Sequence, residues 1–463
     1  MTIKVGIIGG GVAGSTIAMF LAEQGLGIEL FEKGPSLVNG PPVCHLHAGG
    51  NFYREISDQQ CRDLLRQSLQ TMQIYPQAIN KRPTVVVTPK SDPSDPNDLL
   101  PRLHMLTEYY RELVENDANQ ALLGSPDDYF RVLDQQQMQT LAQRPLPASI
   151  EQPEDWLVPV ARNINLDDIK YPVVLVQEYG LSIFRVAATA QLTLAELNNV
   201  NLHLNQPVDS VEKREDGWQI CAADQCVQVD YLVNSAGFRT GEIDDLLGEN
   251  KRRLVEFKAA YITRWAECEG IWPEVIFHGP RGADNGMAQL TPYPDKVFQL
   301  HGMTPEITLF DRGLVASNEQ SAQPKLAEHF IEKIDQGWQA EEVELRTARA
   351  ITHMARHVPS FISAQVAGKP LYGAQQIPGD EPSLRASEVS FGERYARAEI
   401  VKSCTAIAIA EDIYQNLIDL GLTQKAAVPL RRSAKWAVSA VENKALMLSQ
   451  ARQYIPELAV KPR

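Results

Sequence analysis

The sequence predicts a mixed fold of the α/β class, α+β overall, that opens on a doubly wound parallel sheet. Residues 3–8 form an apolar run of strand length, and a glycine cluster follows them. A helical pattern then covers 12–24, before a second strand pattern at 27–31. The order strand, glycine turn, helix and strand is typical of the first unit of a parallel sheet. The 463 residues are enough for two or three domains.

The composition excludes several classes of protein. Hydrophobic residues make up 44% and charged residues 22%, which excludes a disordered or fibrous chain. No apolar run approaches the roughly 20 residues of a membrane span, and a start directly in a strand leaves no room for a signal peptide. Six cysteines are too few for a disulfide framework. The net charge of −14 argues against nonspecific nucleic-acid binding. We therefore expect a cytoplasmic protein.

Later elements follow from periodicity and from proline clusters. Two proline clusters mark 80–155 as an insertion that leaves the first domain. Residues 255–345 resemble a second insertion of this kind. The remaining patterns predict helices at 58–73, around 103–113, at 184–198, at about 324–338 and at 398–420, and strands at 172–176, 200–204, 207–214, 218–222 and 226–233.

The strongest motif is the glycine triplet after the first strand. Gly9 permits a tight turn, Gly11 lets the backbone approach a pyrophosphate, and Gly14 permits close packing of helix on strand. Glu32 ends the second strand, where a carboxylate can accept hydrogen bonds from an adenosine ribose. The alternative is a glycine-rich structural turn. A single motif of this kind suits a tightly held FAD. The predicted binding set of the motif also includes Val12, Ala13 and Lys33.

Other segments resemble the FAD-dependent oxidoreductases of the D-amino-acid oxidase and glycine oxidase (DAO) superfamily. They are residues 178–192, Asn-Gln-Pro-Val-Asp-Ser-Val at 205–211, Val-Asp-Tyr-Leu-Val-Asn-Ser-Ala-Gly at 229–237 and, more loosely, His-Leu-His-Ala-Gly-Gly at 45–50. The resemblance implies FAD as cofactor. It also implies a discontinuous Rossmann-like FAD-binding domain of the glutathione-reductase type, with a second, mixed-sheet substrate domain.

The resemblance also implies domain boundaries and further cofactor contacts. The FAD-binding domain would comprise 1–80, 156–254 and 346–424, the substrate domain 81–155 and 255–345, and a basic helical tail 425–463. The Val208 backbone would face the adenine, with Ala236 and Gly237 close to the cofactor. The loop containing His45, Ala48 and Gly49 would pass the flavin ring.

The C-terminal match departs from the family. Where a glycine-rich stretch usually precedes the last helix, this chain has Phe391–Lys402. The helix N-terminus could still face the flavin pyrimidine, where reduction builds negative charge. Arg394, Tyr395 and Arg397 are the candidates for this contact, and the alternative is two surface arginines at a helix start.

The implied reaction is oxidation of a small amine, amino acid or hydroxy acid by hydride transfer to flavin N5. A carboxylate substrate favours an arginine and a tyrosine hydroxyl, and an alcohol favours a histidine base. The catalytic candidates are His47, Arg54, His301 and Tyr372, with Gln376 beside the last. Each has a structural alternative: a loop cap, a salt bridge or a buried core side chain. No metal site is expected.

Two other functions share the N-terminal motif. A flavin monooxygenase or halogenase would carry Gly-Asp followed by small residues, whereas Gly379-Asp380 is followed by Glu-Pro, and the Trp-x-Trp motif is absent. A flavin-binding protein without small-molecule turnover is the other alternative. Cys221 and Cys226 lie far from the first βαβ unit, so we expect no redox-active disulfide there.

The charge is unevenly distributed along the chain. Residues 425–463 carry a net charge of +6, so the remainder carries −20. The tail is either a helix docked on the acidic body or a basic amphipathic helix at an anionic membrane, where a quinone acceptor would be found. The electron acceptor stays open between oxygen, a quinone and a protein.

Overall fold

A computed structural model describes residues 2–40, 45–46, 56–223, 225–382, 387–424 and 432–462. His47, Ala48, Gly49 and Arg54, four of the predicted site residues, lie outside the described residues. His45 is described through its backbone alone.

The described residues form both helices and strands. The helices are α1 (Val12–Glu23), α2 (Asp58–Ile74), α3 (Leu100–Asn116), α4 (Gln135–Gln143), α5 (Leu157–Asn163), α6 (Ile183–Ala195), α7 (Thr240–Leu247), α8 (Glu328–Gln336), α9 (Ala340–Ala355), α10 (Ala406–Asp419) and α11 (Val438–Ala451). The strands are β1 (Lys4–Ile8), β2 (Gly27–Glu32), β3 (His45–Leu46), β4 (Ile79–Asn80), β5 (Thr84–Pro89), β6 (Phe130–Leu133), β7 (Ile169–Val176), β8 (Tyr179–Leu181), β9 (Val200–Leu204), β10 (Ser210–Arg214), β11 (Gly217–Ala222), β12 (Gln225–Val229), β13 (Tyr231–Asn234), β14 (Arg253–Arg264), β15 (Glu274–Phe277), β16 (Ala288–Pro292), β17 (Val297–Gly302), β18 (Leu314–Ala316), β19 (Gln365–Val366), β20 (Leu371–Pro378), β21 (Glu388–Gly392) and β22 (Tyr395–Glu399).

The N-terminal motif lies in a six-stranded sheet with the order β21-β22-β13-β1-β2-β9. Strands β9, β2, β1, β13 and β22 run parallel, so their carboxyl ends meet at one edge. The predicted opening unit is confirmed, because α1 connects β1 to the adjacent parallel strand β2. The strands predicted at 207–214 and 218–222 are found as β10 and β11 of the antiparallel sheet β10-β11-β12, whereas the strand predicted at 226–233 is divided into β12 of that sheet and β13 of the six-stranded sheet.

A ten-stranded mixed sheet forms the other half of the molecule. Its main path runs β18-β14-β17-β16-β15-β5-β7-β6, and β19 and β20 pair with β14. Alternate residues give each strand two faces. One face is buried with apolar residues of α4, α5 and α9, and the other shares a core with α1, α2 and α6. We call the second face the inner face, because it meets the six-stranded sheet and its helices.

Three strands lie in a different sheet from the one that the sequence indicates. The predicted boundaries put 156–254 and 346–424 in the FAD-binding domain. Strands β7, β19 and β20, from these ranges, lie instead in the ten-stranded sheet. Strand β20 pairs with β14 along eight residues, from Leu371 opposite Ala260 to Pro378 opposite Arg253. Such pairing joins segments more than a hundred residues apart, which local periodicity does not encode.

The predicted helix at 398–420 is wrong at its start. Residues 388–399 form the antiparallel hairpin β21–β22, and α10 begins at Ala406. Strand β22 pairs in parallel with β13, and its alternating side chains are all buried between neighbouring layers. The strand reads Tyr-Ala-Arg-Ala-Glu, in which alanine alternates with larger polar residues, and this period of two is typical of a strand rather than of a helix.

The C-terminal segment is docked on the body. Val441, Ala445 and Leu448 of α11 are buried, and α11 packs along α6. These side chains are the apolar set that a membrane-contacting helix would need, so the geometry favours the docked interpretation. Across the described part of the chain, every helix is too short or too polar to cross a bilayer.

Candidate active site

The glycine turn after β1 leaves space for a ligand at the start of α1. Gly9 has a φ of 98°, and a Cβ on Gly14 would lie 1.9 Å from the Gly9 carbonyl oxygen. A Cβ on Gly11 would instead meet no atom of the described residues within 4 Å. Gly11 caps α1 without a side-chain hydrogen bond. The first N–H groups of the helix are thus available to a phosphate group, together with the positive end of the helix dipole.

Glu32 is held beside this turn by backbone N–H groups. Its Oε2 accepts from Gly10 N over 2.8 Å, and its Oε1 accepts from Gly34 N over 2.7 Å. Gln206 N donates to the Glu32 carbonyl over 3.0 Å, which brings the segment leading to Val208 next to Glu32. Lys33 is exposed. The carboxylate is thereby fixed at the carboxyl edge of the sheet.

The segment after β13 forms the opposite side of the same space. A Cβ on Gly9 would lie 2.5 Å from the Ser235 carbonyl oxygen and 2.7 Å from Ala236 Cα. Gly237 has a φ of 63°, and a Cβ there would meet no atom within 4 Å in the part of the chain that the structure describes. The Gln376 amide lies 2.8 Å from Thr240 Oγ1, directly after this segment.

These residues fit the ADP half of FAD. Gly11 and Gly237 border open space among the described residues. They lie on either side of Gly9, which is tightly packed. Val12 and Ala13 form the first turn of the helix behind them. Glu32 lies at the end of the adjacent strand, where the ribose of a dinucleotide is expected.

The predicted flavin loop begins next to β8. His45 pairs with Gly180 and Leu46 pairs with Tyr179 in the small sheet β3-β8-β4. Asn80 of β4 pairs with Gly180 from the other side. This small sheet therefore brings the start of the loop against the beginning of α6 and the entry to β5.

Arg394, Tyr395 and Arg397 are not at a helix N-terminus. Arg394 forms the turn of the β21–β22 hairpin, at the amino end of the parallel strands and thus opposite to Gly9. Its Nη1 donates to the Asp216 carbonyl over 2.8 Å. A contact of Arg394 with the flavin assumed a helix that is absent at this position. We therefore leave it out of the proposed site.

Tyr395 and Arg397 are engaged in a buried polar network. Tyr395 Oη donates to Asp244 Oδ1 over 2.7 Å and accepts from Asn234 Nδ2 over 2.9 Å. Arg397 Nε donates to both carboxylate oxygens of Asp244, at 2.8 and 2.7 Å. Burial and the nearby Asp244 carboxylate raise the pKa of Tyr395. Both side chains hold Asp244 rather than extending toward Gly9.

The inner face of the ten-stranded sheet carries a row of buried polar side chains. Gln299 lies opposite Thr291 across β17 and β16, and the row continues through Glu274 of β15 to Thr84 of β5. The Thr291 hydroxyl is buried and has no hydrogen-bond partner in the described part of the chain. Buried polar groups are normally satisfied, so the Thr291 hydroxyl is suited to binding a polar group that is not part of the protein.

Arg82 extends into the same polar row. Its Nη2 lies 3.2 Å from Glu274 Oε2, and Glu274 Oε1 accepts from Gln289 Nε2 over 2.6 Å. The Arg82 side chain is only 6% exposed. Its Nε and Nη1 are buried and have no acceptor among the described residues. The guanidinium lies 5.9 Å from the ring centroid of Tyr293.

The two described catalytic candidates lie on opposite faces of the sheet. His301 pairs with Gln289 across β17 and β16, on the inner face. Tyr372 packs against Trp338 on the other face, with ring centroids 5.5 Å apart. The structure therefore does not bring Tyr372 and His301 together. Gln376, farther along the same strand as Tyr372, is the residue that reaches the segment after β13.

Arg82 and Glu274 were missed by the sequence analysis. Their signal was an alternation of polar and apolar residues on strands that are otherwise apolar: Thr84 and Thr88 on β5, and Gln289 and Thr291 on β16. This period of two places polar side chains on one face of a strand. Arg82 precedes Pro83 in a proline-rich segment, and its position in the row depends on pairing between distant strands.

Fold and site together define a flavoprotein of the oxidoreductase class. Residues 4–361 match the family model described as "FAD dependent oxidoreductase", DAO. The chain belongs to this family, whose members are FAD-dependent oxidases and dehydrogenases, and its cofactor is FAD. The sequence matches no curated protein at a significant level.

Solved structures of similar fold agree with this assignment. Glycine oxidase from Geobacillus kaustophilus is 14% identical with a TM-score of 0.58, covering 93% of this chain and 97% of the other. L-Proline dehydrogenase from P. horikoshii is 14% identical with a TM-score of 0.57, covering 94% and 97%. L-α-Glycerophosphate oxidase from Mycoplasma pneumoniae, with FAD bound, is 14% identical with a TM-score of 0.57, covering 94% and 100%. These likenesses concern the fold.

Proposed function

We propose that this FAD-dependent enzyme oxidises a small amine, amino acid or hydroxy acid that carries a carboxylate. When bound, FAD accepts a hydride at flavin N5 from the C–H bond next to nitrogen or oxygen. The observation that carries the proposal is a pair of unsatisfied buried groups at the inner face, the Thr291 hydroxyl and Nη1 of Arg82, which have no partner among the described residues. A packed interior normally satisfies such groups, because an unpaired buried polar group costs about 1–3 kcal/mol.

Arg82 supports the carboxylate part of the proposal. A guanidinium pairs with a carboxylate through two parallel N–H donors. Arg82 keeps Nη1 without an acceptor among the described residues, while its Nη2 contacts Glu274. One oxygen of a substrate carboxylate would accept a hydrogen bond from Nη1, beside the Arg82–Glu274 pair. The same contact would fix the direction in which the substrate's C–H bond points.

His301 supports proton transfer in the same site. It lies beside Gln289 on the inner face, close to the row that includes Glu274. An imidazole can accept the proton of a substrate hydroxyl or ammonium group as the hydride leaves. The names of the similar structures, glycine oxidase and L-proline dehydrogenase, also favour an amino-acid class of substrate.

The test is anaerobic mixing of the yellow holoenzyme with separate panels of amino acids, N-methyl amines and 2-hydroxy acids. The proposal expects one panel to bleach the flavin absorbance. Bleaching by NAD(P)H alone would favour the monooxygenase alternative, and bleaching by none would favour a flavin-binding protein without turnover. Reoxidation by air or by a soluble quinone then distinguishes the electron acceptors.

Variants make this test specific to the inner face. Arg82→Met should slow reduction by an acid substrate about 10- to 100-fold, the loss expected for hydrogen bonds to a charged group. The effect on the amide of the same substrate should be much smaller. His301→Gln should slow reduction by both. The matched control is His329→Gln on α8, whose side chain is exposed. Equal loss for acid and amide in Arg82→Met would contradict the assigned role.

A further inference from the structure

The C-terminal segment, residues 436–462, contacts both halves of the molecule. On the FAD-binding side, Ser182 Oγ, at the start of α6, donates to the Leu458 carbonyl over 3.2 Å. On the other side, Arg264 at the end of β14 forms an ion pair with Glu457, which is buried. The segment therefore contacts both the helices of the FAD-binding half and the ten-stranded sheet.

Arg452, at the end of α11, reaches from this segment to the loop after β2. Its Nη1 donates to the Val38 carbonyl over 2.8 Å. Its Nη2 donates to the Leu37 carbonyl over 2.7 Å and to Ser36 Oγ over 2.9 Å. The guanidinium also lies 5.6 Å from the ring centroid of Phe184. Three acceptors of one short loop thus hold this single side chain.

The loop at 36–38 is in turn fastened to the dinucleotide motif. Val38 N donates to the Gly10 carbonyl over 2.7 Å. A Cβ on Gly10 would lie 2.7 Å from Leu37 Cδ2, so the loop packs directly against the glycine turn. Gly10 N donates to Glu32 Oε2, the carboxylate expected to hold the ribose. Arg452 is therefore linked to Gly10 through two successive contacts, first with the loop at 36–38 and then from that loop to the glycine turn.

The orientation of Arg452 is dictated by this loop. Its Nε is buried without an acceptor in the part of the chain that the structure describes. Leaving that donor unsatisfied is unfavourable, and the three hydrogen bonds to the loop offset it. The carbonyl of Arg452 accepts from Lys369 Nζ, from the segment before β20. Arg452 thus connects segment 436–462 both to the loop at 36–38 and to the segment that leads into β20 of the ten-stranded sheet.

We propose that Arg452 is a cofactor-positioning residue, and that docking of segment 436–462 and binding of FAD stabilise each other. Arg452 fixes the loop at 36–38, and the loop fixes Gly10 and Glu32 in the geometry that fits the ADP half of FAD. Coupling of this kind is reciprocal, because docking of the segment and binding of FAD both stabilise the same conformation of the loop. The inference rests on the FAD assignment and is independent of the substrate.

The first test is Arg452→Met in the full-length protein, with FAD removed and titrated back while flavin fluorescence is followed. The affinity for FAD should fall at least about tenfold, as expected for loss of hydrogen bonds from a charged group. The stabilisation against heat that added FAD gives should shrink in parallel. The matched control is Arg349→Met on α9. It removes a surface ion pair between Arg349 and Glu306 and should leave the affinity for FAD unchanged.

The second test uses the unaltered protein, and it decides the matter if Arg452→Met does not fold. Amide hydrogen exchange is compared without and with FAD. Added FAD should protect the amides of α11 and of residues 452–458, as well as those at the start of α1. Protection of α1 without any change in 438–458 would overturn the proposal. So would an FAD affinity in folded Arg452→Met within about twofold of the unaltered protein.

Discussion

Arg253 at the start of β14 and Glu399 at the end of β22 form a fully buried ion pair, with Arg253 Nε 2.8 Å from Glu399 Oε1. The pair joins the two large sheets, since β14 belongs to the ten-stranded sheet and β22 to the six-stranded sheet that contains β1. The other end of the guanidinium pairs with Asp244, which also binds Arg397. This ionic network therefore joins the cofactor half and the substrate half of the molecule at this point.

Removing Arg253 should destabilise the protein strongly. Arg253→Met leaves the buried carboxylates of Asp244 and Glu399 with fewer positive partners, and breaking a buried pair in this way costs about 3–5 kcal/mol. Urea unfolding should show a loss of about 3 kcal/mol, because Arg397 and Lys251 still offset part of the charge. Arg252→Met is the control. Its side chain is 84% exposed, and a change of more than about 0.5 kcal/mol there would contradict the assignment.

A single added methyl group should abolish FAD binding at the glycine turn. Gly14→Ala would bring a Cβ to 1.9 Å from the Gly9 carbonyl oxygen, which is part of the backbone and cannot move aside. Helix α1 would therefore be displaced from β1, together with the N–H groups that fit a phosphate. The purified variant should be colourless and should not recover flavin absorbance when FAD is added.

Gly40→Ala is the matched control for that change. Among the described residues, a Cβ at Gly40 would meet no atom within 4 Å, although the residue lies only a few positions after the loop at 36–38. This variant should stay yellow. A yellow Gly14→Ala protein, or a colourless Gly40→Ala protein, would contradict the steric explanation.

The opening unit could be predicted because its determinants are local. Gly9, Gly14 and Glu32 lie within one short stretch, and the glycine turn, helix period and strand pattern all act on neighbouring residues. The strand and helix positions at Lys4–Ile8 and Val12–Glu23 agree with that prediction. FAD followed from the same motif and from its single occurrence.

The site on the substrate side could not be predicted to the same depth. Its polar row exists only when Gln299, Thr291 and Glu274 are brought into register across three strands. The stretch around Arg397 was assigned to a helix because its true partner, Asp244, lies about 150 residues earlier in the chain. Such pairings are set by tertiary packing rather than by local propensity.

Cys221 and Cys226 face each other across β11 and β12 and form a disulfide. The composition predicted no disulfide framework, and this single hairpin bond does not make one. In a purified, unreduced sample, two of the six cysteines should react with a thiol reagent under denaturing conditions only after reduction. Replacing both by serine should cost about 2 kcal/mol of stability, as expected for closing a short loop. The flavin spectrum should not change. Six reactive thiols before reduction would contradict this pairing.

His357 should make the protein less stable as the pH falls. Burial, with positive charge from His353 and Arg356 as smaller causes, lowers the pKa of His357 from 6.5 to about 4. Its ring stacks on Phe277, with centroids 4.4 Å apart. Below pH 6.5 the unfolded chain binds a proton at this position and the folded chain does not, so stability is lost between pH 6.5 and 4.

The expected loss between pH 7 and pH 5 is about 1–2 kcal/mol from this side chain alone. The measurement is urea unfolding of the protein and of His357→Leu at pH 7, 6 and 5. The variant loses the histidine that must stay neutral in the fold, so its stability should fall less steeply over this range than that of the unaltered protein. Parallel curves for the two proteins would show that His357 does not carry this pH dependence. A steeper fall in the variant would mean that the folded chain holds the proton more tightly than the unfolded chain does.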